Sequence, residues 1–293
     1  FEIVRSLPDT DVRIADDKSG VKLVADRFES RLQTLPREDF PALPDAKRTA
    51  PVTLARAALK DMIALTLFAI TGEDTRFFLN GALLQLKPTS LSLVATDGHR
   101  LALVTVPRAT PGDGEDRVIL PKKTLTELGR LLMDGDGDVL FERGENHLFF
   151  DVGGRTLISR MIDGQFPAYE RVIPKGNDKH IEFERDRLTS AVRRVALLSN
   201  ERSRSVKFSV EKGKVDVSSS SPELGEARES LAVDYSGPSM QICFNAQYVV
   251  DFLTAISTEV VGLELKDEVS QAVMTPIGAE GFDYTYVIMP MRV

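Results

Sequence analysis

The residues best able to do chemistry are few and scattered. Asp97, Gly98 and His99 stand together, and an Asp–His pair could begin an acid–base or nucleophilic site. Such a site also needs an oriented nucleophile, and the chain holds no Gly-x-Ser-x-Gly, no His-Glu-x-x-His and no phosphate-binding loop. Asp134, Asp136, Asp138 and Glu145 fall at positions 1, 3, 5 and 12 of a calcium loop. Val139 stands where that loop needs glycine, and a strand-like run follows instead of a helix. His147 and His180 have no neighbours at metal-ligand spacing, and the single Cys243 excludes an intramolecular disulfide. The simpler reading is a turn aspartate, a wall histidine and an acidic hairpin, with no catalytic residue, metal or cofactor. The competing reading is a hydrolase or calcium-dependent enzyme that uses Asp97, His99 and the Asp134 loop.

The frame that positions these residues is a repeat. With 293 residues, 42% of them hydrophobic, the chain can build two or three domains with real cores. Val12–Pro44, Val139–Pro174 and Val261–Val293 share one ending: strand, tight turn, strand, then an extended segment reaching a proline or its neighbourhood. Ahead of these endings, Val52–Ala69 matches Ile181–Leu198, and Val118–Met133 matches Ile242–Ser257. All four read as a strand running into an amphipathic helix. Leu59, Met62, Ile63 and Thr66, like Leu188, Val192, Val195 and Leu198, recur at helical spacing. Pro121 suits a helix start and Asn245 an N-cap. Alternation over Leu91–Thr105 around Asp97-Gly98 predicts a hairpin.

The fold class expected is α+β: repeated units of roughly 120–130 residues, each with two helices on antiparallel sheets. Connectors rich in Pro, Lys and Asp near Leu43–Ala50 and Pro174–Lys179 divide the chain at 1–46, 47–174 and 175–293. The first unit is incomplete, with Phe1–Leu7 as the end of its second helix. Phe1 is not an initiator methionine, and the repeat length predicts roughly 80 further residues upstream. No apolar run nears the roughly 20 residues that span a bilayer, and no secretory pattern is present. Together with the lone cysteine this predicts a cytoplasmic protein without a membrane partner.

Charge is unevenly placed. The net charge of −7 argues against a protein that coats nucleic acid. Yet three of the four complete helical segments are net basic, through Arg56 and Lys60, Lys122, Lys123 and Arg130, and Arg185, Arg187, Arg193 and Arg194. Helices facing one way would give one basic surface and leave the rest acidic, as suits a protein that meets a polyanion on one face. The bland alternative is solvated helix surface.

Several motifs together carry a resemblance. Thr96–Ala102, Phe166-Pro167 through Arg171-Val172, and Met289–Val293 resemble the bacterial sliding clamps, the beta subunits of DNA polymerase III. Arg76–Gly81, Leu197–Glu201 and Tyr235–Gly237 resemble the same family, in the same order along nearly the whole chain. The resemblance implies a ring of two chains, three domains each, with helices lining a hole that holds double-stranded DNA without regard to sequence. It implies no enzyme activity. The replicative polymerase, the clamp loader and repair polymerases would dock through short linear motifs in a groove. Carried over by position, that groove is lined by Arg76, Leu79, Thr96, Gly98, His99, Arg100, Leu101, Pro167, Arg171, Val172, Asn245, Tyr248, Val287, Ile288, Met289, Pro290, Met291 and Arg292. The DNA-facing set is Arg56, Lys60, Lys122, Lys123, Arg130, Arg193 and Arg194. The seam between chains pairs Phe28–Gln33, with Arg31 and Leu32, against Gly225–Val233, with Glu226, Arg228 and Glu229, beside Leu197 and Leu198. Read without the resemblance, Leu79, Leu101, Val172 and Ile288 are simply core.

Overall fold

Every strand pairing among the described residues is antiparallel. The computed structural model describes residues 1–18, 20–44, 51–108 and 114–292. The chain forms two compact units, Phe1–Ala46 and Lys47–Val293. Residues 45–50 of the first expected connector, and Val293, lie outside the described residues.

The first unit holds α1 (Glu2–Ser6) and a meander of β1 (Arg13–Asp17), β2 (Gly20–Ala25) and β3 (Phe28–Gln33). In the second unit the first repeat runs β4 (Val52–Leu54), α2 (Arg56–Thr66), β5 (Gly81–Leu86), β6 (Ser90–Thr96), β7 (Arg100–Pro107), β8 (Asp116–Pro121), α3 (Lys122–Leu131), β9 (Val139–Arg143), β10 (His147–Val152) and β11 (Arg155–Arg160). The next runs β12 (Lys179–Glu184), α4 (Arg185–Ala196), β13 (Ser205–Glu211), β14 (Lys214–Ser221), β15 (Gly225–Ala232), β16 (Met240–Asn245), α5 (Ala246–Ala255), β17 (Val260–Leu265), β18 (Ala272–Ile277) and β19 (Asp283–Ile288).

The repeat is present, with one correction. The extended segment closing each shared ending is itself a third strand: β3, β11 and β19. Tight turns hide it in the sequence. Asp26 takes φ 49° before β3, and Gly153 and Gly154 take positive φ before β11. Pro121 ends β8 in extended conformation, so α3 begins at Lys122. Asn245 caps α5 as expected, its side chain accepting from the Gln247 amide at 2.9 Å.

The strands form an eight-stranded sheet in the order β12-β17-β18-β19-β7-β6-β5-β8, and two four-stranded sheets, β11-β10-β9-β4 and β15-β14-β13-β16. The helices bury Leu59, Met62 and Ile63, Leu125 and Leu128, Leu188, Val192 and Val195, and Val249, Phe252 and Leu253 in one core cluster. Leu84, Leu93, Ala102 and Val104 of the large sheet join that core. Each fully buried Leu or Phe contributes about 1.5–3 kcal/mol. A second cluster lies on the other side of the large sheet. There Leu83, Val94, Leu101, Ile119, Val273 and Val287 meet Phe166 and Tyr169 of the segment after β11. No described helix is long and apolar enough to cross a membrane.

The edge strand β15 is held to β14 by a buried carboxylate. Asp216, 2% exposed, accepts from Arg228 of β15 and, at 3.2 Å, from Lys214. The Arg228 bond is the main reason its carboxyl is pulled down to about 2 from an ordinary 3.8. A folded-state pKa below the unfolded one gives stability that is complete above about pH 4 and lost as the pH falls towards 2. Asp216→Asn should therefore lower the thermal midpoint at pH 7, with the deficit against the parent shrinking across that acid window in a pH series of melts.

Candidate functional site

The residues carried over as groove lining gather around the junction of β7 and β19. These strands pair from Asp283↔Thr105 to Ile288↔Arg100. The chain enters β7 through the Asp97–His99 turn, which Gly98 can make because it sits at φ 89°. It leaves β19 as Met289–Arg292. That tail is docked: the Met289 amide donates to the His99 carbonyl at 2.9 Å, and the Met291 amide to the Cys243 carbonyl at 2.8 Å. Met289, Pro290 and Met291 are half-buried.

Strand alternation sorts the rest. Leu101 and Val287 point to the second cluster, with Phe166, Tyr169 and, part-buried, Phe78 and Ile173 around them. They are 2% and 1% exposed and can only be floor. Ile288, one residue on, turns to the helix side and lies in the main core, and Leu79 is 1% exposed. Thr96 is spent inside the turn, donating to the Arg100 carbonyl and accepting from the Gly98 amide. Arg76, Gly98, His99, Pro167, Arg171 and Arg292 are exposed, and Val172, Asn245 and Tyr248 are half-buried. Arg76 is held by Asp74 at 2.8 and 3.0 Å and lies against Gly98, where an added Cβ would meet its guanidinium at 3.2 Å. The arginine hydrogen bonds are the main cause drawing the Asp74 carboxyl down to about 2.

Arg100 stands apart from the floor residues. As a neighbour of Leu101 on a strand it must point the other way, to the helices, and its side chain is 9% exposed. Its donors are used on Asp97 at 3.0 Å, Asp251 of α5 at 2.6 Å and the Phe68 carbonyl at 2.6 Å. The guanidinium stacks over Tyr248 at 4.3 Å and Phe68 at 5.3 Å. It joins the two halves of the junction. Sequence reasoning missed Phe68, Asp74 and Asp251; only the Asp74-x-Arg76 spacing offered a local signal.

The basic residues divide likewise. Lys60 and Lys123 are exposed and make no ion pair among the described residues. Arg193 is exposed, bonded to Thr254 at 3.1 Å. Arg130 pairs with Glu127 at 2.8 Å. Lys122 donates to the Ile70 carbonyl at 2.8 Å, so of the Lys122-Lys123 pair only Lys123 is free. Arg56 is held within the fold. It is 9% exposed and donates to the carbonyls of Asp134 and Gly137, which it ties to the start of α2. The acidic loop once compared with a calcium site is thus bound to an arginine, and no cluster of three metal-ligating side chains exists among the described residues. Arg194 grips Glu229 of β15 at 2.6 and 2.9 Å.

The seam residues lie on sheet edges. β3 and β15 each pair on one side only. Leu32 and Leu197 are 40% and 76% exposed, Leu198 is half-buried and Glu226 exposed. Arg31 pairs with Asp17 at 3.2 Å and Arg228 with Asp216.

Known proteins match this chain closely. Residues 53–168 match the family model described as DNA polymerase III beta subunit, central domain, and residues 170–292 that of its C-terminal domain. The beta sliding clamp of Pseudomonas putida is 39% identical over 297 residues, covering 100% of this chain and 79% of the relative. That of Escherichia coli K12 is 39% identical over 296 residues with the same coverage. The crystal structure of a Pseudomonas aeruginosa sliding clamp bound to griselimycin is 37% identical with a TM-score of 0.92, covering 100% of this chain and 79% of that one.

The Arg100 cluster makes a stability prediction. Removing the cation leaves two partly buried carboxylates uncompensated, so Arg100→Ala should cost about 3 kcal/mol in chemical denaturation.

Proposed function

The chain belongs to the DNA polymerase III beta subunit family, the beta sliding clamps, and from that premise we propose how its surfaces divide the work of a processivity factor. A homodimeric ring around duplex DNA tethers polymerases and other replication and repair proteins. We infer that it works in the cytoplasm on the nucleoid, catalyses no reaction, and divides into clamp domains at 1–46, 47–174 and 175–293. The edges of β3 and β15, with Leu197 and Leu198, would close the ring by strand pairing between chains.

The groove takes a partner's linear motif over the Leu101–Val287 floor, between Arg171-Val172 and Met289–Met291, with His99, Tyr248 and Asn245 alongside. One observation carries this reading: a chain tail held by backbone bonds to two separate sheets, with methionines left half-open. Methionine adapts to different apolar anchors. Two or three buried anchors supply about 5–8 kcal/mol gross, so with polar contacts a micromolar peptide is expected. Removing Met289–Val293 should weaken a Gln-Leu-x-Leu-Phe peptide roughly tenfold or more in calorimetry while far-ultraviolet circular dichroism stays unchanged.

DNA contact is best assigned to the unpaired cations Lys60, Lys123 and Arg193. Arg56 and Lys122 hold carbonyls, and Arg194 holds β15. Lys60→Glu with Lys123→Glu and Arg193→Glu should reduce loader-dependent retention on DNA and flatten the salt dependence of weak direct binding, since fewer counterions are released. Peptide affinity should not change. Normal retention in that variant would refute the assignment.

A further inference from the structure

The segment after β11 walls the groove; backbone bonds from Met161 to Asn146 and from Ile162 to Ile119 hold its start, and a buried polar bond lies under Tyr169 further on. Phe166 and Tyr169 of this segment cover the outer side of the large sheet, 9% and 5% exposed. Apolar contact alone holds such a cover but allows it to slide, because it has no direction. Gln85 on β5 is 2% exposed, and its amide meets the Tyr169 hydroxyl at 2.9 Å. With the amide turned over, its nitrogen donates to the same hydroxyl at 2.9 Å and its oxygen accepts from Arg117 at 3.1 and 3.3 Å. The Tyr169 bond therefore exists in either orientation. A buried amide–phenol pair adds little stability over apolar groups of the same shape, but it defines one position.

That position is passed directly to the groove. Tyr169 opens a short 3-10 turn, Tyr169–Arg171. The Arg171 amide donates to the Ala168 carbonyl at 3.1 Å, and the Val172 amide to the Tyr169 carbonyl at 2.9 Å. Wherever the Tyr169 ring is pinned, Arg171 and Val172 follow. Glu170, between them, pairs with Arg117 at 3.2 Å on the exposed side, a weaker tether.

We propose that Gln85 and Tyr169 are positioning residues of the groove: their buried hydrogen bond sets the place of Arg171 and Val172, and neither touches the bound peptide. The proposal rests on the groove reading above, so its test has one measurement that needs no peptide. In the intact chain, Tyr169→Phe and Gln85→Leu should speed hydrogen exchange at the Arg171 and Val172 amides roughly tenfold and raise the dissociation constant of a Gln-Leu-x-Leu-Phe peptide about three- to tenfold, the range set by one hydrogen bond. Gln85→Glu keeps an acceptor for Tyr169 and faces Arg117, so it should restore both values. A merely structural role predicts the opposite pattern: leucine fills the space of glutamine, and exchange at these two amides stays put. Unchanged exchange in both Tyr169→Phe and Gln85→Leu, or a Gln85→Glu variant as impaired as Gln85→Leu, would overturn the proposal. Exchange that responds as expected in a parent chain that binds no peptide would uphold the hold on Arg171 and Val172 and remove the groove reading instead.

Discussion

The pairing of β7 with β19 is the constraint on which the rest of the second unit depends. Strands far apart in the sequence of that unit form six consecutive partners, from Asp283↔Thr105 to Ile288↔Arg100. Two four-stranded halves thereby become one continuous sheet. Side chains lock the junction on its helix side. The Tyr284 hydroxyl donates to the Leu65 carbonyl at 2.7 Å, Phe252 stacks on Tyr286 at 5.0 Å, and Arg100 spans Asp97, Asp251 and the Phe68 carbonyl. A buried guanidinium with carboxylates on two sides is a poor source of net stability but a good one of register, because a slipped register would strand the charge. The groove depends on that register. The Asp97–His99 turn enters β7 where the Met289–Arg292 tail leaves β19, so a slip would separate its two walls.

Strand alternation then decides which side chains a partner can reach. Arg100 and Leu101, or Val287 and Ile288, are neighbours in sequence yet lie on opposite sides of the sheet. A list transferred by position puts all four in one lining; the pleat puts Leu101 and Val287 on one side of the sheet and Arg100 and Ile288 on the other. The same rule places Gln85 and Leu83 on the outer side, where the segment after β11 covers them, and sends Leu84 and Leu86 to the helices. Recognition by this site therefore combines a rigid floor, set by the sheet, with walls from turns and a tail that hydrogen bonds must position.

Local patterns were legible in the sequence and long-range ones were not. Helix spacing found Leu59, Met62, Leu188 and Val192, and turn chemistry found the Asp97-Gly98 hairpin and the Asn245 cap. Each depends on residues a few positions apart. The repeat pattern left the third strand of each shared ending as an extended segment, because β3 and β11 follow turns too tight to register as breaks; only the resemblance had marked Phe28–Gln33 as an edge. The partners of Arg56, Lys122 and Arg100 were illegible for another reason. A basic residue on a helix or beside a turn looks free until the carbonyls and carboxylates it meets are known. For Arg100 the partner Asp251 is 151 positions away, and for Lys122 the Ile70 carbonyl is 52 away. No local window contains them.

The same distinction bears on how an acidic chain can work on DNA. A net charge of −7 would defeat a protein that had to hold phosphates by affinity. A ring holds its duplex by closure, and its lining needs only enough positive charge to favour the middle of the hole over the rim. Tight, geometrically matched cation–phosphate contacts would in fact oppose sliding, since each step would have to break them. The free cations here suit that limit. Lys60 and Lys123 are single mobile charges on exposed helix faces, and the arginines with planar forks are mostly bound within the protein, Arg56 to carbonyls and Arg194 to Glu229. On the proposed lining, most of the arginines' capacity for bidentate bonds goes into the fold, which leaves the diffuse attraction of Lys60 and Lys123, with Arg193, for a polyanion that must move.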